Sequence, residues 1–266
     1  MYFSDDRSGR MIFDKVSESY LEARPEYPQE IYEDILAKLF DGNSNNMLDN
    51  VLEVGSGAGQ ASKKLSTFAQ SLECIEPGKS FVKILNTIFK NNNSIKIHQC
   101  TFEEFQSDKK FDLIFSGCAL HWIPQTVVLA KSNELLKSGG WLVGVWNMPR
   151  FDSKIYDIIK SIVLPLYHDF EIPKGSDEEI KYFDVGYKAL VNQTWVKNHF
   201  KKIYYGKRSL NNELLLKLIW SYMNLDALGA ENNKSVYQQL DKKIQELGRK
   251  SHIVENCYPL AMAQKK

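Results

Sequence analysis

The chain has 266 residues, 34 lysines and arginines against 33 aspartates and glutamates, a formal net charge of +1, and 43% hydrophobic residues. That balance is ordinary for a globular protein and carries no electrostatic footprint for nucleic acid, and no apolar run reaches the eighteen or so residues of a membrane span. The N-terminal MYFSDDRSGRMIF lacks the apolar segment of a secretory signal, and Cys74, Cys100, Cys118 and Cys257 form neither a C-x-x-C pair nor a metal-ligand spacing. Reduced thiols in a cytoplasmic protein, with no metal and no nucleic-acid or membrane partner, are therefore expected.

In chain order, Val51 to Val54 reads as a short buried strand. Gly55, Gly57 and Gly59 punctuate a tight turn, and Gln60 to Thr67 has helical character. Strand, glycine turn and helix gather backbone N–H groups at one spot, which suits the polar end of a nucleotide-like ligand. The spacing is G-x-G-x-G, with Gln60 where a dinucleotide site wants a third small residue. No Lys-Ser or Lys-Thr follows at P-loop spacing, so a nucleoside triphosphate does not fit. Ser71 to Ile75 is a second strand ending in Glu76-Pro77. An acid about twenty residues past the turn, at the end of strand two, is placed to accept from ribose hydroxyls.

Lys79 to Phe89 follows with helical spacing, then strands at Ile95 to Cys100 and Phe111 to Phe115. Pro124 to Leu136 is a helix that starts on proline, and Ser138-Gly139-Gly140 leads into a fifth strand, Trp141 to Trp146. This alternation predicts an α/β fold, a doubly wound Rossmann-like parallel sheet. Beyond residue 147 the pattern turns helical: Ile155 to Leu166, Glu178 to Leu190, Asn211 to Leu228 and Ser235 to Leu247, with strands at Phe200 to Tyr205 and His252 to Ala263. One domain over 1–266 is expected: an N-terminal cap segment at 1–30, a ligand-binding core at 48–147, a mainly helical lid at 148–250 and a terminal strand at 251–266.

Glu53, Gly55, Gly57, Gly59 and Glu76 together resemble the cofactor site of class I S-adenosylmethionine-dependent methyltransferases. Arg24-Pro25-Glu26-Tyr27-Pro28, Ala119-Leu120-His121-Trp122, Val145-Trp146-Asn147, Trp220-Ser221-Tyr222 and Tyr258 to Ala263 resemble a narrower group, the type 11 methyltransferase domains similar to trans-aconitate methyltransferases. The resemblance implies a seven-stranded sheet whose last strand runs antiparallel, S-adenosylmethionine as cofactor, and a small-molecule methyl acceptor. It implies that Glu53 approaches the cofactor's amino group and that Ser56, Gln60 and Pro77 border it. Phe102 and Glu103 would border the adenine, with Glu104 interchangeable with Glu103; the competing reading of Thr101 to Phe105 is a capping box between Thr101 and Glu104. Tyr20, Arg24 and Tyr27 would lie on a segment folded over the cofactor. Arg24 suits either the cofactor's carboxylate or an acidic acceptor.

Ser116-Gly117-Cys118-Ala119, small residues at the end of strand four, leave room where a methyl group would pass, with Ser116 toward the cofactor and Cys118 lining the acceptor space. His121 is the candidate general base if the acceptor needs one, against a histidine that only supports the turn. Trp122, Trp146 and Trp220 are pocket walls or core. A carboxylate acceptor would need no base. Two other readings remain open, an NAD-dependent oxidoreductase and a non-catalytic S-adenosylmethionine-binding partner subunit. Residues 148 to 200 carry no substrate signature, and nothing in the sequence fixes an oligomeric state.

Overall fold

The computed structural model describes residues 23–40, 47–166, 176–223, 225 and 230–266. Tyr20 lies outside the described residues, as does the end of the helix expected to run to Leu228.

An eight-stranded sheet organises the chain. Helix α1 (Gln29–Phe40) precedes β1 (Leu48–Val54), followed by α2 (Ser62–Leu65), β2 (Ala69–Ile75), α3 (Lys79–Ile88), β3 (Ile95–His98), β4 (Phe111–Gly117), α4 (Gln125–Leu135) and β5 (Leu136–Val145). Then come β6 (Met148–Arg150), α5 (Ser153–Ile162), α6 (Ser176–Val191), β7 (Val196–Leu210), α7 (Asn212–Met223), α8 (Ala230–Glu246) and β8 (His252–Lys265). Strands pair in the order β3-β2-β1-β4-β5-β8, the first five parallel. The last strand, β8, runs antiparallel to β5, β6 and β7, in agreement with the expected topology. The sheet has one strand more than the seven expected. The addition, β6, is three residues long, and its Pro149 breaks any apolar run that would have marked it.

Both faces of the parallel strands are covered, which is why those strands are apolar almost throughout. Val51, Leu113, Phe115, Val143 and Val145 pack with Ile31, Tyr32 and Ile35 of α1 on one face. Leu52, Val54, Ile75, Ile114 and Leu142 pack with Phe102, Phe105 and Val128 on the other. A third cluster joins α5, α7 and α8 through Ile155, Ile159, Leu215, Ile219, Leu240 and Ile244 to Leu210 and Val254 at the far ends of β7 and β8. The helical region thereby stands on a two-stranded extension of the sheet.

The helix after the glycine turn is much shorter than expected, a single turn over Ser62–Leu65. The turn itself extends to Ala61, and the chain re-enters the sheet at Ala69. So short a helix has little macrodipole, and individual backbone N–H groups of the turn carry its polarity instead.

Candidate active site

The glycine turn crosses the carboxyl ends of β1 and β2. Gly55 and Ser56 both donate their N–H to the Ile75 carbonyl, at 2.9 and 3.1 Å. Gly55, Gly57 and Gly59 take φ of +73°, +52° and +85°, the left-handed region where a side chain costs about 1–2 kcal/mol. A Cβ on Gly55 would run into the Ala119 Cβ, whereas a Cβ on Gly57 would meet nothing within 4 Å. One glycine packs against the loop after β4, and the other faces open space.

That space is a cleft partly open to solvent and lined by Glu53, Gly55, Ser56, Gly57, Gln60 and Ala61 from the β1 side. Gly117, Cys118 and Asn147 close it from the β4–β5 side, and Arg24, Pro25 and Tyr27 from the N-terminal segment. Glu76 borders it through the turn: its Oε2 accepts from Gly57 N–H at 2.8 Å, and its Oε1 accepts from Gly78 N–H at 2.8 Å.

Glu53 is 2% exposed. Its Oε2 accepts from Ser62 Oγ at 2.5 Å and from Cys74 Sγ at 3.7 Å. Burial, with Glu76 as a like charge nearby, pushes its pKa up to about 7 against the bonds that oppose the shift. The Gln60 side-chain nitrogen is buried in the cleft wall with no hydrogen-bond partner. An acceptor pair at one end, an unsatisfied amide donor and an open glycine backbone fit the amino and ribose groups of an amino-acid-bearing nucleoside.

The loop after β3 gives two neighbouring glutamates different surroundings. Glu104 closes a capping box on Thr101, accepting from its N–H at 3.0 Å and its hydroxyl at 2.9 Å, while Glu104 N–H donates to Thr101 Oγ at 3.3 Å. The box forms on a turn and not on a helix. Glu104 is thereby occupied and exposed, and Glu103 is the partly buried acid of the pair. The Lys131 ammonium donates to the carbonyls of Glu103 (2.9 Å) and Phe105 and stands 5.6 Å from the Phe102 ring. Lys131, on α4, escaped sequence reasoning because a lysine on a helix face normally reads as solvated.

Five expected site residues have other employment. Ser116 Oγ donates to the Val54 carbonyl at 2.8 Å and straps β4 to β1, so its hydroxyl does not line the cleft. His121 is 6% exposed and lies outside the cleft wall. Its Nδ1 accepts from the Trp146 indole N–H at 3.1 Å, and burial depresses its pKa to about 3. A neutral imidazole with its acceptor nitrogen engaged is no general base, so that expectation is corrected. Trp146 packs over Gly144 and edge-on to Phe183, 5.4 Å between centroids; Trp122 packs on His121, and Trp220 on Tyr237 in the helical layer. None of the three tryptophans lines the cleft.

Tyr27 and Cys118 do line it together. Tyr27 OH donates to Cys118 Sγ at 3.6 Å and covers Gly117, whose Cβ position it fills. Asn147 N–H also points at the sulfur, at 3.1 Å. Cys118 has φ +55°, the one non-glycine in that region among the described residues, a strained conformation of the kind that clusters at functional sites. Burial pushes its thiol pKa up, so it is not a nucleophilic thiolate. Arg24 donates to the Ser221 carbonyl at 3.3 Å and lies 5.2 Å from the Tyr222 ring centroid, which ties the N-terminal segment to α7.

Residues 52–144, β1 to β5 with the whole glycine turn, match the family model of a methyltransferase domain. A candidate methyltransferase of Dictyostelium discoideum is 27% identical over 135 residues, 51% of this chain and 48% of that one. An uncharacterized methyltransferase of Bacillus mycoides is 32% identical over 117 residues, 42% of this chain and 51% of that one. The chain thus spans about half the length of the relatives it matches. Among solved structures, a candidate type II methyltransferase from Anaeromyxobacter dehalogenans superposes with a TM-score of 0.58 at 16% identity, over 91% of this chain and 97% of that one. A candidate methyltransferase from Bacillus halodurans gives 0.51 at 15% identity, over 87% and 99%. At such identities the likeness is one of fold, and the fold is Rossmann-like. Residues 52–144 thus resemble a methyltransferase domain, set in a fold of the same architecture as these solved structures. No helix among the described residues is long and apolar enough to cross a membrane.

Proposed function

We propose that this chain, built on a methyltransferase-domain core, transfers a methyl group from S-adenosylmethionine to a small-molecule acceptor. The observation that carries the reading is the cleft at the carboxyl ends of β1 and β4, where the Glu76 carboxylate is bolted to the open glycine turn through Gly57 and a buried Glu53 stands beside it. When bound there, S-adenosylmethionine supplies a methyl group already activated by a sulfonium.

The chain's residues then have to hold, align and exclude water. Glu76, fixed by two backbone N–H groups, is the acceptor for the ribose hydroxyls. Glu53, whose pKa burial raises to about 7, would receive the amino group, whose positive charge favours the ionised carboxylate. Phe102 and Glu103, on the turn clamped by Lys131 and outside the lining of the cleft, would border the adenine by the same resemblance. Pro77 follows Glu76 directly, and Ser56 and Gln60 line the cleft. Arg24, Pro25 and Tyr27 line it from the N-terminal segment, with Tyr27 on the Cys118 sulfur.

A carboxylate acceptor needs no base, which suits a cleft that His121 does not line. The narrower similarity to trans-aconitate methyltransferases points the same way, on motifs at 24–28, 145–147 and 258–263 that lie outside the matched segment. The test is transfer of labelled methyl from S-adenosylmethionine into a panel of small acids, phenols and amines. The reading expects label in the small-molecule fraction, lost in Glu76→Ala. Label confined to protein or nucleic acid would refute the small-molecule acceptor.

A further inference from the structure

Arg208, on β7, was not singled out by any sequence motif, and its surroundings among the described residues do not explain its charge. Its Nη2 donates to the Ala23 carbonyl at 2.8 Å, while its Nε is buried with no hydrogen-bond partner. No described carboxylate pairs with it. The nearest acid in the ladder, Glu255, belongs to the opposite face, where Lys207 holds it at 2.6 Å. The charged and titratable neighbours that act on Arg208 are Arg24, of the same sign, and the Tyr258 phenol. A half-buried guanidinium with an unmet N–H and a second arginine nearby is costly unless an anion comes to it.

Position supports the same conclusion. In the strand order the carboxylates Glu53 and Glu76 lie on one side of β4, and Arg208 lies on the other, past β5 and β8. Arg208 extends beyond the carboxyl edge of the parallel strands, where open sheets of this kind take their ligands. Arg208 does not itself line the cleft; it is joined to the cleft wall through Ala23, whose neighbour Arg24 lines it, and through Tyr258, whose ring fills the space beside Gly206 and lies 6.4 Å from that of Tyr27. Asn147 Oδ1 accepts from Asn256 Nδ2 at 2.7 Å, which leaves the Asn147 amide N–H2 as its free polar group at the cleft wall. The two sides of β4 thus differ in chemistry: carboxylates toward β1 and β2, and hydrogen-bond donors toward β7 and β8.

We propose that this donor side is the acceptor's anion subsite, with Arg208 the specificity residue that takes a carboxylate or phosphate group of the acceptor. This rests on the methyltransferase reading for the identity of the ligand as acceptor, and it names the class: a small molecule bearing an anionic group. Arg208's bond to Ala23 then also couples the N-terminal strap to an occupied site.

Calorimetry on the full chain saturated with S-adenosylhomocysteine, at constant ionic strength, tests this with succinate, inorganic phosphate and neutral succinamide as probes. Succinate or phosphate should bind and succinamide should not; which of the two anions binds distinguishes a carboxylate-bearing from a phosphate-bearing acceptor. Arg208→Gln should weaken anion binding by about tenfold, Arg208→Lys should recover part of it, and affinity for S-adenosylhomocysteine should hold in both. No binding of either anion, or equal binding in Arg208→Gln, overturns the proposal. If Arg208→Gln also lowers Tm, the wild-type chain decides: the bound anion should protect Arg208 from phenylglyoxal, read by peptide mass, and lack of protection overturns the proposal. Failure of S-adenosylhomocysteine itself to bind would overturn the methyltransferase reading instead, and the anion titrations on the free chain would still judge Arg208.

Discussion

Replacing Glu76 by alanine removes two bonds to backbone N–H groups before any ligand is considered. Each charge-assisted bond contributes about 1.5–3 kcal/mol. The free protein should therefore lose stability, and affinity for S-adenosylhomocysteine should fall tenfold or more; Glu76→Gln, which keeps one acceptor oxygen, should lose less of both. Thermal melts and calorimetry on the same samples check this, and an unchanged dissociation constant in Glu76→Ala would remove the ribose assignment. Glu53 makes a prediction in pH. Its folded-state pKa of about 7 lies above its ordinary 4.5, so between those values the folded state holds more protons than the unfolded one. Its contribution to stability is full below about pH 4.5 and is lost as pH rises to about 7. Urea melts from pH 4.5 to 8 should show that decline in the wild type and a flatter profile in Glu53→Gln; parallel profiles would contradict the buried, protonated carboxyl. Residue identity made both acids legible in the sequence, because an acid at the end of a strand has a fixed place. It misled for His121 and Ser116, because a hydrogen bond from Trp146 or to Val54 depends on which strands become neighbours, and spacing along the chain does not carry that.

The turn between β1 and α2 contains a contrast that a spacing motif cannot show. Gly55 and Gly57 both have positive φ, but only Gly55 abuts another backbone segment. Gly55→Ala should unfold or severely destabilise the protein, since the added methyl meets Ala119 on top of the conformational cost. Gly57→Ala should cost only about 1–2 kcal/mol while narrowing the cleft, so that it folds and binds S-adenosylhomocysteine poorly. Chemical denaturation and calorimetry of the pair check this; equal loss of stability in the two would contradict the assignment of Gly57 to the open side. The parallel strands were legible because both of their faces are buried and their apolar runs are unbroken, and the antiparallel end of the sheet followed from resemblance. What escaped has physical reasons. β6 is three residues around a proline, β7 is long but mostly exposed and lysine-rich so that only its middle looked like strand, and α2 is cut short by the glycine turn before it and β2 after it.

At the scale of the molecule, a net charge near zero conceals a division of charge across β4, with Glu53 and Glu76 toward one side and Arg24 and Arg208 around the other. Composition averages that division away, and only the strand order recovers it. The acid side is the part of the account on which the rest stands, and titration calorimetry of the full chain with S-adenosylhomocysteine and with NAD tests it most directly. S-adenosylhomocysteine should bind the wild type with a single site, at least tenfold more weakly in Glu76→Ala, and NAD should give no heat of binding. Saturable binding of NAD with no response to S-adenosylhomocysteine would contradict the account at its centre.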